Sequence, residues 1–482
     1  MNEKANDTKV FSNLIWRFME RCGAQLVSFA VTVVLARLIE PEVFGLVATV
    51  TVITSILLVF ADSGMGNALI QKKDPDDLDF SSVFFFNIVF CLVLYIGLYF
   101  AAPWLAKLYK DSSLTAILRV LGLTVIVAGV KNVQQAYVSK TLQFKRFFLA
   151  TLGGTLLSGA VGIAMAIMGY GIWALVVKEL VNVTVNTAIL WLTVGWRPKL
   201  MFSLKRLGSL LSFGWKLLVS ALLDTVYNKL RQIIIGIKYT STDLAFYERG
   251  NSLPNLVVEN INSSIDSVLL PVLSDEQDSK EQVRRMTRRA IKVSSYIMMP
   301  MMVGLAVCAE PLIRLLLTEK WLPCVPYLRV FALTYAFYPV HTANLNAIKA
   351  MGRSDLFLIL EIVKKAVGML LLILTVSMGA YAMAVSLFVM TIICQFINAW
   401  PNRKLLDYSI LAQFRDLMPA LLLSVLMGAC VYPISFLNLS DWLTLPLQIM
   451  TGVAVYAGVS AVFRVESFGY MLSLVKKFVR RG

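Results

Sequence analysis

The sequence predicts an all-α integral membrane protein with about 14 transmembrane helices. Of its 482 residues, 58% are hydrophobic, and the mean hydropathy is +0.73. Soluble domains contain about 45–50% apolar residues, and a soluble core could not bury this excess. Apolar stretches of about 20 residues, long enough to cross about 30 Å of hydrocarbon, recur from Phe11 to Phe463.

Fourteen apolar stretches are predicted to span the membrane, and no loop between them exceeds about 20 residues. The first stretch carries charges and lacks a small-residue cleavage site, which predicts a retained helix rather than a signal peptide. The loops leave no room for a soluble catalytic domain. The predicted spans are residues 12–36, 43–62, 81–106, 113–137, 147–168, 170–193, 208–236, 244–272, 293–309, 322–348, 354–376, 379–400, 417–437 and 441–463.

The loop charges predict the orientation of the chain. With the N-terminus inside, the inner segments hold 27 of the 45 Lys and Arg residues and the outer segments hold six. The positive-inside rule therefore places both termini in the cytoplasm. The net charge of +16 is explained by these loops and by a basic tail facing lipid headgroups, so nucleic acid is not an expected partner.

Two pairs of matching segments indicate an internal repeat. Trp16-Arg17 opens the first span and Trp215-Lys216 opens the seventh, while residues 169–174 resemble residues 379–384. A shift of six helices keeps both halves in the same orientation, as in parallel transporter repeats. We predict six-helix bundles over residues 1–200 and 201–405, an extra helix pair over 406–463 and a cytoplasmic tail over 464–482. A charged loop is expected at 274–292.

Charged side chains inside the spans predict an internal polar surface, because a charge at the bilayer centre costs about 2.5–3.5 kcal/mol on insertion scales. In the seventh span, polar residues recur every fourth position, which predicts one continuous polar stripe. These residues are Ser212, Lys216, Ser220, Asp224, Asn228 and Gln232. A second stripe in the eighth span consists of Asn255, Glu259, Asn262 and Asp266.

Charged residues on these and neighbouring spans are the candidate site residues. The cations expected to bind substrate are Arg17, Arg21, Lys131, Lys216, Arg249 and Arg329. The acids considered for ion coupling are Glu20, Asp62, Asp224 and Glu259. Interhelical pairing and snorkelling to the interface are alternatives for the cations. A cationic cavity selects anions, and a diphosphate is the large anion that Lys and Arg clamp well.

Some polar residues in the spans have a structural explanation. Lys178 is expected to pair with Glu179, and Glu361 with Lys365. His341, the single histidine, follows Pro339 and fits either a proton relay or a hydrogen-bonded interior position.

The chain lacks motifs for catalysis or cofactor binding. Gly154 and Gly159 have the spacing of a phosphate-binding loop, but Ala160 stands where lysine is required. The six cysteines show neither metal-binding spacing nor a disulfide framework. We therefore predict no catalytic residue, no metal and no cofactor. Any transport would have to be driven by an ion gradient, the membrane potential or the substrate's own gradient.

An ordered series of segments resembles the polysaccharide-transport branch of the multidrug/oligosaccharidyl-lipid/polysaccharide exporter superfamily. Over residues 10–400 the chain looks like the Wzx-type exporters of lipopolysaccharide, colanic acid and teichuronic acid. The segments are DSGMGNALIQ at 62–71, LQFKR at 142–146, GYGIWALV at 169–176, LPVLS at 270–274, KWLPCVPYLR at 320–329 and GR at 352–353.

The resemblance implies a fold and a function. The fold implied is two six-helix bundles around a central cavity, as in the superfamily's drug exporters. The function implied is transfer of undecaprenyl-diphosphate-linked oligosaccharide across the cytoplasmic membrane by alternating access. Coupling to H⁺ or Na⁺ is an open expectation. Contacts with a glycan polymerase or a chain-length protein are open expectations as well. The alternatives are a cation-coupled multidrug exporter and a membrane glycan polymerase or ligase.

Overall fold

The fold is described by a computed structural model that covers residues 23–62, 64–437 and 439–479, with side chains up to residue 473. This part of the chain is helical and has no β-strand. Single 3₁₀ turns cover Glu319–Cys324 and Tyr432–Leu437. The helices are α1 Gly23–Leu38, α2 Pro41–Asp62, α3 Met65–Gln71, α4 Asp77–Leu108, α5 Leu114–Lys140, α6 Phe144–Ile167, α7 Ile172–Thr193, α8 Leu204–Lys238, α9 Ser241–Asp275, α10 Lys280–Val307, α11 Ala309–Leu317, α12 Val325–Tyr335, α13 Tyr338–Ala350, α14 Ser354–Thr375, α15 Ala380–Leu406, α16 Ile410–Val431, α17 Asp441–Val462 and α18 Glu466–Val479.

Eleven helices of the described chain are long and apolar enough to cross a membrane. The all-α membrane fold predicted from composition is therefore confirmed. The predicted spans from the second onward each coincide with one helix or with a pair of broken helices. The number fourteen itself stays a prediction, because α12 and α13 are individually short and α14 carries several charges.

Two local predictions are wrong. The tenth span, expected as one helix over 322–348, breaks between Tyr335 and Tyr338. Pro339 has no N–H to bond the Tyr335 carbonyl, so α13 starts a new helix with proline in its first turn. The loop expected at 274–292 is largely helix, because the Ser279 side chain caps α10 by accepting the N–H of Gln282 at 3.4 Å.

The chain divides into two compact units, one ending at Ala245 and one beginning at Phe246. The boundary therefore lies within α9 and follows α8, whereas the sequence placed it at residue 200. Helix α8 belongs to the first unit because it packs on α2, α3 and α4. The six-helix repeat stays a prediction.

Two apolar cores formed by described residues hold most helices of the first unit together. One joins α1, α2, α4, α5 and α7, and Leu35, Val50 and Leu118 are fully enclosed in it. The other joins α3 to the facing ends of α4, α5 and α8, where Phe80, Tyr137 and Trp196 form an aromatic cluster with ring centroids 5.6–6.2 Å apart. These cores fix the orientation of the polar residues on α5 and α8.

In the second unit, α10 packs on α12, α13 and α16. Met298, Met302 and Phe331 are among its fully buried side chains. The extra pair α16–α17 is thus attached to this unit through α10, a role that the sequence had left open.

A close backbone contact holds α3 against α8 in the first unit. Gly64 has a φ of +65°, and a Cβ placed on it would lie 2.2 Å from the carbonyl oxygen of Gly214. Only glycine fits both the left-handed backbone and this distance. The contact fixes the position of Lys216, which lies two residues after Gly214 on α8.

Candidate functional site

The predicted site residues are distributed over both units. Three of them, Arg17, Glu20 and Arg21, lie outside the described residues. The first unit holds Asp62, Lys131, Lys216 and Asp224. The second unit holds Arg249, Glu259 and Arg329.

The polar residues of α8 wind around the helix instead of following one face. Four residues turn an α-helix by about 40° more than one full turn, so five such steps rotate the row by about 200°. Lys216, Asp224 and Asn228 are exposed, whereas Gln232 is 7% exposed. The predicted stripe is therefore exposed from Ser212 to Asn228 but turns gradually around the helix, and only its last residue, Gln232, is covered.

Lys216 is the predicted cation that the protein leaves most open. Its side chain is exposed, and none of the described residues forms an ion pair or hydrogen bond with its ammonium group. Asp224, two turns further along α8, is exposed as well. An uncovered ammonium on a membrane-crossing helix is suited to bind an anion.

Lys131 lies on α5 close to the end of α2. The neighbouring Asn132 donates a hydrogen bond to the carbonyl of Ala61 at 3.0 Å, which brings α5 beside Asp62. Lys131 is half-buried and Asp62 is exposed, and no ion pair joins them in the described structure. The two predicted residues are thus neighbours without being partners.

Arg231 on α8 is a functional candidate that the sequence analysis did not select. Its side chain is 6% exposed, and its Nε and Nη2 have no hydrogen-bond partner among the described residues. Burying a guanidinium without a partner costs several kcal/mol, on the order of a lost charged hydrogen bond or more. The sequence contained a signal for this residue, because Arg231, like Lys216, has no acidic residue three or four positions away.

The two predicted cations of the second unit contact protein groups. The Arg249 guanidinium lies over the Trp321 ring, 5.1 Å from its centroid. Arg329 Nε donates to the carbonyl of Ala306 at 3.3 Å. These contacts hold both side chains in place and make them less available to a ligand than Lys216 is.

Helix α9 carries a row of polar side chains that remains largely uncovered. Asn255 Nδ2 donates to Glu259 Oε1 at 2.7 Å, and Glu259 is exposed. Asn346 Nδ2 on α13 donates to Asp266 Oδ1 at 2.9 Å, and Asp266 is also exposed. Of the predicted stripe of the eighth span, Glu259 and Asp266 are accessible, whereas Asn255 and Asn262 are half-buried.

His341 occupies a hydrogen-bonded interior position, as one of the two sequence interpretations expected. Its Nδ1 lies 3.2 Å from Nδ2 of Asn398 on α15. Beside it, a buried network of side-chain amides joins α13, α15 and α16, with Asn344 Nδ2 donating to Gln413 Oε1 at 2.9 Å and Asn402 Nδ2 donating to Asn344 Oδ1 at 2.7 Å. These amide hydrogen bonds link the three helices, while the buried Oδ1 atoms of Asn398 and Asn402 have no partner among the described residues.

Local ion pairs account for several charges in the spans. Lys178 Nζ lies 2.6 Å from Glu179 Oε1, which confirms the predicted pair. Glu361 Oε1 lies 2.5 Å from the Nζ of Lys364, the residue before the expected Lys365. Paired charges of this kind stabilise structure and leave little net charge for a ligand.

Ion pairs also form outside the predicted spans of each unit. In the first unit, Lys72 pairs with the buried Asp79 at 2.5 Å. The backbone N–H of Asp79 donates to Asp76 and lowers the pKa of Asp76. In the second unit, the hydrogen bond from Lys292 to Glu466 at 2.7 Å lowers the pKa of Glu466.

The second unit also contains an apolar groove of about 720 Å³ between α10, α16, α17 and α18. Pro300, Met427, Ile449 and Val453 are among the residues that line it, and Phe468 and Met471 of α18 border it. The described residues contain no cluster of three His, Cys, Asp or Glu side chains that could hold a metal ion.

Comparison with known proteins places this arrangement in a family. The family model described as "Polysaccharide biosynthesis protein" matches residues 34–326, more than half of the chain. The chain belongs to this polysaccharide biosynthesis protein family. The sequence resemblance to polysaccharide exporters is thereby confirmed.

Individual relatives of this family member are similar over most of their length. The succinoglycan biosynthesis transport protein ExoT of Rhizobium meliloti (strain 1021) is 23% identical over 73% of this chain and 72% of its own. The teichuronic acid biosynthesis protein TuaB of Bacillus subtilis (strain 168) is 24% identical over 94% of this chain and 92% of its own.

Solved structures show the same fold for this family member. The lipid II flippase MurJ in an inward closed conformation is 16% identical, covers 94% of this chain and 98% of its own, and gives a TM-score of 0.74. An inward-facing multidrug resistance MATE transporter of the MOP superfamily is 15% identical and gives a TM-score of 0.61. The match covers 82% of this chain and 94% of the transporter. The fold class predicted from the resemblance is therefore confirmed.

Proposed function

We propose that the protein is a flippase that moves undecaprenyl-diphosphate-linked oligosaccharide across the bacterial cytoplasmic membrane by alternating access. The observation that carries this proposal is the uncovered ammonium of Lys216 on a membrane-crossing helix, in a chain whose family makes polysaccharide. ExoT is named as a transport protein and MurJ as a lipid flippase, which supports transport of a lipid-linked glycan.

Lys216 is proposed to bind the diphosphate in the first unit, together with Lys131 of α5. Arg231 lies 15 residues after Lys216, about 22 Å further along the axis of α8, and is proposed to bind the diphosphate at a different stage of its transfer. Phosphate oxygens accept hydrogen bonds from ammonium and guanidinium groups, and these charged bonds are about twice as strong as neutral ones. The cations proposed to bind substrate also include Arg17, Arg21, Arg249 and Arg329. No catalytic role is proposed for any residue, because transfer between leaflets breaks no covalent bond.

Both termini are proposed to lie in the cytoplasm, as the loop charges predict. Coupling to H⁺ or Na⁺ is proposed to use Glu20, Asp62 or Asp224. Besides the glycan lipid and the bilayer, a glycan polymerase or chain-length protein is the proposed partner at the outer face, where the transported oligosaccharide is next used.

The proposal is tested with Lys216→Ala in a strain that lacks the chromosomal gene. We expect loss of at least tenfold in surface glycan, because a charged hydrogen bond contributes about 1.5–3 kcal/mol. Lipid-linked oligosaccharide should accumulate on the cytoplasmic side, as measured by accessibility to an added glycosidase in oriented vesicles.

Lys205→Ala is the matched control, since Lys205 is also exposed on α8 but lies outside the predicted span. It should leave surface glycan unchanged. Lys216→Arg should retain most of the export because it keeps the positive charge. Normal surface glycan in Lys216→Ala would remove Lys216 from the proposed site, and normal glycan in the deletion strain itself would refute the flippase function.

A further inference from the structure

Six polar residues of α9 share one face of the helix, although Asn260, Ser264 and Ser267 lie on other faces. Successive members of this row are three or four residues apart, and the last lies about five full helical turns after the first. The row consists of Glu248, Ser252, Asn255, Glu259, Ser263 and Asp266. It extends about 27 Å along the helix axis, close to the thickness of the hydrocarbon layer of about 30 Å.

This α9 face bears acceptors and neutral donors but no cation. The sequence between residues 250 and 279 contains neither Lys nor Arg. Carboxylates accept hydrogen bonds, whereas hydroxyl and amide side chains both donate and accept them. A diphosphate would be repelled by Glu259 and Asp266, while a chain of neutral hydroxyl groups would find both kinds of partner.

Other elements of the second unit hold this face in a fixed geometry. Tyr335 of α12 donates its hydroxyl proton to Asn251 Oδ1 at 2.6 Å, and the buried Asn346 of α13 donates to Asp266. Asn255 orients Glu259 in the same way. Glu259 and Asp266 each accept one amide hydrogen bond and have about four lone-pair positions in total, so both retain acceptor capacity.

We propose that this face of α9 binds the sugar residues of the lipid-linked glycan. The inference rests on the proposed function and concerns the sugar part of the substrate. The elongated shape of the row fits a linear oligosaccharide, with successive sugar rings meeting successive turns of α9.

The arrangement is unfavourable for a bound metal cation. Glu259 and Asp266 are seven residues apart, which separates their backbone positions by about 10 Å along the axis. Cations such as Ca²⁺ need six to eight oxygens that converge on one point, and even Mg²⁺ needs a tight octahedron. The acids of α9 form a line instead.

The test compares two probes on the full-length protein in nanodiscs. One probe is undecaprenyl diphosphate, and the other is undecaprenyl-diphosphate-linked oligosaccharide extracted from membranes of the same bacterium. For Glu259→Ala we expect about tenfold weaker binding of the oligosaccharide lipid, equivalent to about 1.4 kcal/mol, and less than twofold change for undecaprenyl diphosphate. Glu259→Gln should stay within threefold of wild type, because an amide oxygen still accepts hydrogen bonds from hydroxyl groups.

Ser263 and Ser264 provide a matched pair of positions. Both hydroxyls donate to the carbonyl of Asn260, at 3.2 and 2.8 Å, so each substitution removes one hydrogen bond of the same kind; Ser263 is half-buried and Ser264 is exposed. Only Ser263 lies on the proposed face, since Ser264 points about 140° away from Glu259. Ser263→Ala should weaken binding of the oligosaccharide lipid by about threefold, and Ser264→Ala should not change it.

Unchanged oligosaccharide binding in Glu259→Ala, with normal wild-type binding, would overturn the sugar-binding face alone. If Glu259→Ala and Glu259→Gln lose oligosaccharide binding equally, and if this loss depends on Na⁺, the result would overturn the sugar-binding face in favour of a cation site. A wild-type protein that binds neither probe would overturn the proposed function, and the sugar-binding face with it.

Discussion

The guanidinium of Arg288 donates two hydrogen bonds to the carboxylate of Asp416, from Nε at 2.6 Å and from Nη2 at 2.8 Å. This bidentate pair joins α10 to α16. Tyr408 also donates to Asp416, at 2.8 Å, and the carboxylate is only 3% exposed. The helix pair α16–α17 is therefore attached to α10 by an ion pair as well as by apolar packing.

Breaking this pair should destabilise the second unit. We expect Arg288→Ala to cost about 1–3 kcal/mol, because it removes two charged hydrogen bonds from a buried carboxylate, although Arg288 itself is half-exposed. Thermal unfolding in detergent, followed by tryptophan fluorescence, measures the loss. Arg285→Ala is the control, since Arg285 bonds only Gln282 within its own helix in the described structure. An equal melting temperature for both variants would contradict this role of Asp416.

Gly64→Ala should damage the first unit more than Gly169→Ala does. Both glycines have positive φ, +65° and +82°, so both substitutions carry a backbone penalty of about 1–2 kcal/mol. Only at Gly64 would the new Cβ also collide with the Gly214 backbone, whereas a Cβ on Gly169 meets nothing within 4 Å. Yield of folded protein by size-exclusion chromatography measures the difference. Equal yields would show that α3 and α8 can separate without cost.

Arg231→Met should raise stability and lower transport. Replacing an unpaired buried guanidinium by an apolar side chain of similar length removes a desolvation cost of about 1–3 kcal/mol. The melting temperature should rise while surface glycan falls, a combination typical of residues kept for function. Arg231→Lys should keep part of the transport. A melting temperature that falls in Arg231→Met would mean that the guanidinium has a structural partner.

Attachment of α18 to α10 should weaken in acid. Because Lys292 lowers the pKa of Glu466 below its usual value of 4.5, the stabilisation is complete above about pH 4.5 and is lost as the pH falls through the lower folded value. Hydrogen exchange of the α18 amides should thus accelerate below about pH 4.5. Glu466→Gln should show the faster exchange already at pH 7. Identical exchange in this variant and the wild type at pH 7 would exclude the ion pair as a tether.

High salt provides a separate check on the same tether. Glu466 is 80% exposed, so the pair with Lys292 is screened by salt, and the Debye length shortens from about 8 Å at 0.15 M to about 3 Å at 1 M. Exchange in α18 should therefore accelerate in 1 M NaCl. The cation–π contact of Arg289 with Tyr470, 3.9 Å from the ring centroid, is the contact expected to remain. Salt-independent exchange would assign the attachment to apolar packing.

The sequence by itself determined the class of the protein and the position of nearly every membrane helix. Length and hydropathy suffice for this, because each span must satisfy its own backbone hydrogen bonds inside the bilayer. The Lys178–Glu179 pair was also predictable, since neighbours in sequence are neighbours in any helix. Spacing over one or two turns is local information that the chain carries without its fold.

Only the tertiary structure decided which polar residues are covered. The α8 row winds from the exposed Lys216 to the buried Gln232, whereas the α9 row keeps Glu259 and Asp266 accessible on one face. The buried Arg231 and the pair of Arg288 with Asp416 likewise depend on helices distant in sequence. Burial and interhelical partners are properties of packing, and hydrophobic periodicity cannot reveal which neighbour a polar side chain will meet.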